Sequence, residues 1–136
     1  MYIINRIEMI NMKKNGFTLI EILAVIIILG VVGLIVMPVV TSSLKESKDE
    51  LYNVQISNIK EAAKTWAADN IYTLPTEINK SVIVTLGTLQ TEGYIDAGIK
   101  NPKTNEEFNV EETCVKVLYN GKKYTYSVLL TADECK

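Results

Sequence analysis

Residues 13 to 40 read KKNGFTLIEILAVIIILGVVGLIVMPVV: two lysines, a glycine, then a long apolar run interrupted by a single acid, Glu21. From Ile22 to Leu44 no charged side chain occurs over 23 residues. At about 1.5 Å of rise per residue, roughly 20 residues of helix cross a bilayer core, so this is a membrane-length helix. Basic residues ahead of an apolar run describe both a retained anchor and a removed secretory signal. Glu21 separates the two. A carboxylate inside an apolar run costs about 2.5 to 3.5 kcal/mol and asks for a partner, for which a discarded signal has no use. A signal cleavage site would have to fall between Val39 and Ser43, where PVVTSS is a poor substitute for the usual A-x-A pattern.

The rest of the 136 residues leaves room for one small head of about 90 residues. From Lys45 onward 11 lysines face 14 acids, a net charge of minus 3, so no basic patch points to nucleic acid. Histidine is absent, which removes the usual general base and the commonest metal ligand. Neither a Ser/His/Asp set, a Cys/His pair nor a phosphate-cradling glycine loop is present, so no catalytic residue and no cofactor is expected. Glu106-Glu107 and Glu111-Glu112 are paired acids near turns. Calcium binding is one reading; a solvated charge cluster is preferred, because no loop of alternating oxygen ligands surrounds them, and no metal is expected.

The helical pattern outlasts the apolar run. From Thr41 it becomes amphipathic, with Tyr52, Ile56, Ile59, Ala63 and Trp66 recurring at steps of four and three. Lys45, Lys48, Asp49, Glu50, Lys60, Glu61 and Lys64 mostly occupy the other faces as solvated charge. Asn70 and then Leu74-Pro75 close the element, since a residue before proline disfavours helical geometry. One helix of about 50 residues is therefore expected from Phe17, at 3.6 residues per turn. Its inner half lies in lipid, and its outer half carries a head anchored on Trp66. Within it, Gly30, Gly33 and Pro38 weaken the ladder: each glycine costs about 1 kcal/mol against alanine, and proline removes the amide that would bond Leu34.

In the head, Thr76 to Ser81 reads as a polar loop, and Thr85 as the cap of a short helix through Glu92. Leu86 and Leu89 of that helix point inward, Gly93 ends it, and Tyr94-Ile95 returns to the core. Asn101 to Asn105 is turn chemistry before a short strand at Phe108 to Val110. Asn120-Gly121 between VKVLY and KKYTYSVLL predicts a two-residue type I′ hairpin. That register opposes Tyr119 to Lys122, Val117 to Tyr124 and Val115 to Tyr126 on the face toward the helix. Cys114, Lys116, Leu118, Thr125 and Ser127 then share a more polar face. Cys114 and Cys135 are the only cysteines, and both lie in the part that faces outward, where thiols oxidise. A disulfide is the expected outcome; two free thiols or a metal site are the alternatives, though two cysteines without histidine make a poor zinc site.

Gly16-Phe17-Thr18-Leu19-Ile20-Glu21, preceded by Lys13-Lys14 and followed by the uncharged run, resembles the processing site of type IV prepilins and pseudopilins. The resemblance implies an α+β pilin fold: a long amino-terminal α-helix, half membrane-spanning and half amphipathic, packed on a small antiparallel β-sheet head. It divides the chain into a leader at 1–16 and a membrane or filament-core helix at 17–40. The amphipathic continuation follows at 41–70, then a head at 71–136 with a carboxy-terminal hairpin and disulfide loop. A prepilin peptidase is implied to cut between Gly16 and Phe17 and to methylate the new amino group of Phe17. Glu21 is then the assembly charge, meeting the amino terminus of an adjacent subunit, with a contact inside one chain, about a turn away, as the competing reading. The stretch from Gly30 to Pro38 is where related helices lose hydrogen bonding on assembly, an ordinary kink being the alternative.

The family resemblance carries further expectations. Implied partners are other pilin subunits, the prepilin peptidase, an assembly platform with its ATPase, and membrane lipid before assembly. Lys13 and Lys14, with Arg6, hold the amino terminus in the cytoplasm, so the chain crosses the cell membrane once and the assembled filament is extracellular. A start at Met12 gives MKKNG, a leader of the length such families use, against starts at Met1 or Met9. LGTLQTEGYID followed by NP resembles the connecting segment of small pilin heads from low-GC Gram-positive bacteria, and the cysteine pair resembles their carboxy-terminal disulfide loop. A pilus subunit is the reading; a pseudopilin or minor pilin of a DNA-uptake or secretion machine is the alternative. A non-polymerising membrane-anchored binding module, using the hairpin tyrosines, is the alternative of another class.

Overall fold

The computed structural model describes residues 16 to 136. The Met1, Met9 and Met12 starts, Arg6, Lys13-Lys14 and the leader ahead of Gly16 lie outside the described residues. The elements run α1 (Leu19–Asp69), a 3-10 turn (Ile71–Thr73), β1 (Ser81–Thr85), α2 (Leu86–Thr91), β2 (Cys114–Tyr119) and β3 (Tyr124–Leu129). The chain divides into two compact units, residues 1–41 and 42–136.

In the first unit, helix α1 is long and apolar enough to cross a membrane, and every large apolar side chain from Phe17 to Leu44 is exposed. It begins at Leu19, two residues later than the periodicity suggests, because the Thr18 side chain caps it. Helical geometry continues through Pro38. One turn on, the Thr41 hydroxyl donates to the carbonyls of Met37 at 3.1 Å and Pro38 at 3.0 Å.

In the second unit, the outer part of α1 packs on a three-stranded antiparallel sheet of order β1-β2-β3. Ile59, Ala62, Ala63, Trp66 and Ala67 from the helix meet Val84, Leu86, Leu89, Phe108, Val115 and Val117 in one core. Tyr52 and Ile56 extend that stripe as partly buried neighbours. Burying a side chain of the Val, Leu or Ile class stabilises by about 1.5 to 3 kcal/mol, so this stripe is what fixes the sheet to the helix. The helix ends where both the backbone amide and the side-chain amide of Asn70 donate to the Trp66 carbonyl, each at 2.9 Å. The Thr85 cap is present, its hydroxyl accepting the Thr88 amide at 3.2 Å, and Gly93 leaves α2 in the left-handed region at φ 83°. Leu86 and Leu89 are fully buried.

Four details depart from the sequence reading. Ser81–Thr85 is a strand, pairing Val82 with Val117 and Val84 with Val115, so the loop before it stops at Lys80 and the hairpin gains a third strand. Phe108 to Val110 is not a strand: beside it stands an isolated bridge between Lys100 and Glu107, and Phe108 is held by burial and by its amide donating to the Ile99 carbonyl at 3.1 Å. The hairpin register is shifted by two residues, with Tyr119 opposite Tyr124, Val117 opposite Tyr126 and Val115 opposite Val128. The cause is Asn120, whose side-chain oxygen accepts the amides of Lys122 at 3.1 Å and Lys123 at 3.0 Å, widening the turn to four residues. A type I′ turn needs positive φ at both central positions; Gly121 has it at 88°, while Asn120 does not. An even shift leaves side chains on the same faces, so Val115 and Val117 are still buried. Finally, Cys114 lies on the face shared with Lys116 yet is fully buried, because it is bonded to Cys135.

Candidate functional site

The residues singled out for processing lie at the start of α1. Gly16 to Thr18 are outside the helix, and Phe17 is 79% exposed. A Cβ placed on Gly16 would meet nothing within 4 Å among the described residues, so their packing does not demand glycine there. Thr18 is the hinge of the arrangement. Its carbonyl accepts the amides of Glu21 at 3.1 Å and Ile22 at 3.2 Å, and its hydroxyl accepts the Glu21 amide at 3.3 Å. Thr18-Leu19-Ile20-Glu21 therefore matches the T-x-x-E spacing of a capping box, a signal legible in the sequence that periodicity alone passes over. Glu21 falls in the first helical turn, where the unpaired amides favour a negative charge by about 0.3 to 1 kcal/mol when exposed.

Farther along, Gly30 and Gly33 have open space where a Cβ would go. Neither glycine answers to a neighbour among the described residues, and each lowers helical stability by about 1 kcal/mol relative to alanine. The structure thus brings Gly16, Phe17, Thr18 and Glu21 onto one short segment, and leaves Gly30 and Pro38 about two and a half and five turns beyond Glu21 on the same helix.

In the head, Cys114 and Cys135 form a disulfide with Cα atoms 5.8 Å apart. It ties the terminal segment to β2 at the point where Cys114 pairs with Leu129. Beyond it, the tyrosines proposed for recognition are half-buried. Tyr124 donates its hydroxyl to the Pro75 carbonyl at 3.0 Å and stacks at a tilt on Tyr119 with ring centroids 5.1 Å apart. Burial pushes the Tyr126 phenol above its ordinary pKa. Tyr94 is raised as well, because its hydroxyl donates to Asp69 at 2.9 Å and ionising it would break that bond. These contacts hold the head together and leave the hairpin tyrosines little freedom to grip a ligand.

A groove of about 540 Å³ runs between Gln55, Asn58, Ala62 and Thr65 of α1 and the loop from Gly93 to Asp96. Among the described residues, Glu61 and Asp96 are the acidic side chains that line it, with no nucleophile-and-base pair beside them. Among the described residues no set of three or more histidine, cysteine or acidic side chains converges to hold a metal. Glu106, Glu107 and Glu112 instead line a shallow pocket with Asn101, Thr104 and Asn109, whose side-chain oxygen accepts the amides of Glu111 and Glu112.

Residues 11 to 37 match a family model described as the prokaryotic N-terminal methylation motif. Comparison with curated proteins and with solved structures returned no significant match. The motif is that of structural rather than enzymatic proteins, and it implies processing by a prepilin peptidase and handling by pilus assembly machinery. Together with the membrane-length helix, its amphipathic continuation, the small antiparallel sheet and the disulfide, this match over residues 11 to 37 supports a type IV pilin or pseudopilin assignment.

Proposed function

We propose that the chain is a structural subunit of a type IV pilus. It is cut between Gly16 and Phe17, methylated on Phe17, and polymerised through α1 into an extracellular filament. The observation that carries this reading is the exposure of every large apolar side chain from Phe17 to Leu44, with the carboxylate of Glu21 at the start of the run. A helix apolar all round stays in lipid or is covered by other helices. Before assembly lipid covers it; afterwards, neighbouring copies do.

Cleavage supplies an ammonium on Phe17 where the helix begins. Between adjacent subunits that ammonium pairs with Glu21, and a wrong axial register leaves both charges unpaired in an apolar bundle, at about 3 to 5 kcal/mol by analogy with broken buried ion pairs. The pair is a register device more than a source of stability. The heads, tied by the core around Trp66 and the Cys114–Cys135 bridge, form the outer surface.

Negative-stain microscopy of sheared cells, with amino-terminal sequencing of the purified fibre, tests the reading. Fibres built mainly of this chain and starting at methylated Phe17 are expected. A trace of the chain in fibres built of another subunit identifies a minor pilin or pseudopilin, and a processed chain that never enters a fibre identifies a non-polymerising anchor.

A further inference from the structure

Resting on the processing step proposed above, we infer that Thr18 is a positioning residue for cleavage: by capping α1 at Leu19 it keeps the peptide bond between Gly16 and Phe17 outside the helix. Among the described residues, the earliest carbonyl that the helix uses is that of Thr18, which accepts from Ile22 at 3.2 Å. Had the helix run two residues farther back, the Gly16 carbonyl would accept the Ile20 amide, since each helical carbonyl bonds the amide four residues on. A peptidase must reach that carbonyl carbon from the side and polarise its oxygen, which an intrahelical bond and the turn wrapped around it obstruct.

Two side-chain choices act on the same boundary. The Thr18 hydroxyl accepts the Glu21 amide at 3.3 Å, rewarding the non-helical backbone that a cap residue adopts. Among the described residues Gly16 has no neighbour within 4 Å of where a Cβ would stand, so glycine there serves no packing need among them and acts through weak helix propensity. Together they stop a strongly helical apolar run just short of the scissile bond, leaving Phe17 exposed beside it. The step served is ordinary hydrolysis: the bond from the Gly16 carbonyl carbon to the Phe17 nitrogen breaks, water supplies the oxygen of the new Gly16 carboxylate, and both of its protons end on the Phe17 nitrogen, which becomes the ammonium.

The test uses the full-length chain in detergent micelles, cut by purified prepilin peptidase, with Thr18→Ala, Thr18→Ser and Thr18→Asn beside the parent. Alanine removes the cap and is the best helix former, so cleavage should slow by about fivefold, the shift that corresponds to losing one cap. Serine and asparagine keep a capping oxygen and should be cut at the parental rate. Carbon chemical shifts at Phe17 should move toward helical values in the alanine variant alone. Equal cleavage of Thr18→Ala and parent overturns the inference, as does slowing by serine and asparagine to the alanine rate. Slow cleavage of the alanine variant with unchanged Phe17 shifts also overturns it, assigning Thr18 to direct contact with the peptidase. A parent chain left uncut between Gly16 and Phe17 overturns the processing reading itself, whatever the variants do.

Discussion

The Tyr124 hydroxyl donates to the carbonyl oxygen of Pro75 at 3.0 Å, across 49 residues of chain. The bond fastens the loop that follows α1 to the start of β3, beside the buried Leu74. Replacing Tyr124 by Phe removes the hydroxyl and keeps the ring. A loss of about 1 kcal/mol is expected, the net worth of a typical hydrogen bond, read as a lower midpoint in urea unfolding at unchanged slope. An unchanged midpoint would mean that water serves the Pro75 carbonyl equally well.

Trp66 is 8% exposed in the core, and its indole Nε1 has no hydrogen-bond partner among the described residues. Two terms therefore compete at this position. Trp66→Ala should cost about 3 to 5 kcal/mol in cavity and lost burial. Trp66→Phe relieves an unpaired donor, itself a cost of about 1 to 3 kcal/mol, and should lose less than about 1.5 kcal/mol. If both variants lose equally in chemical denaturation, the ring is not the anchor of the head.

The bridge between Cys114 and Cys135 closes a separation of 21 residues. Chain entropy puts its worth at about 3 kcal/mol. Cys135→Ser is the cleaner probe, because Cys114 is fully buried while Cys135 is partly exposed. That variant, and the parent under reductant, should unfold at matching lower midpoints, while the oxidised parent yields a single bridged peptide on non-reducing mass mapping.

In the single subunit α1 is helical through Pro38, although Pro38 has no amide to give Leu34 and Gly30 and Gly33 add no packing. On the filament reading proposed above, the segment from Gly30 to Pro38 is expected to exchange its ladder for an extended form when neighbours close around it. A filament of the Pro38→Ala variant should keep that segment helical where the parent filament extends it, as read from the subunit path in cryo-electron microscopy. An equally extended segment in the variant would remove proline as the cause.

Much of this architecture was legible in the chain because its signals are local. The length of α1, the stripe from Tyr52 to Trp66, the Thr85 cap, the Gly93 stop and the cysteine pair each follow from residues a few positions apart or from a single pairing. β1 was not legible, since Val82 to Val84 is a short apolar run whose partner, β2, lies about 30 residues away, and only that distant pairing makes it a strand. The two-residue register error has a different origin: an asparagine side chain outcompeted the tight turn by holding two backbone amides. Faces survived the error because side chains alternate with period two. At the candidate site, Glu21 stood out as the one acid in an apolar run, and Gly16 and Phe17 through the resemblance they carry, whereas the T-x-x-E spacing of Thr18 was passed over because its contribution lies in one hydrogen bond at a helix end.

The account rests most heavily on Glu21. Glu21→Gln preserves size and hydrogen bonding at the start of α1 and removes only the charge that an adjacent Phe17 ammonium would meet. Insertion and cleavage should proceed, while the yield of sheared filaments, quantified against the parent at equal expression, should fall by about two orders of magnitude or more, the equivalent of about 3 kcal/mol in register selection. A yield within about twofold of the parent would contradict the account, on the same scale of free energy per factor of ten, and would leave α1 as an anchor that does not polymerise through its carboxylate.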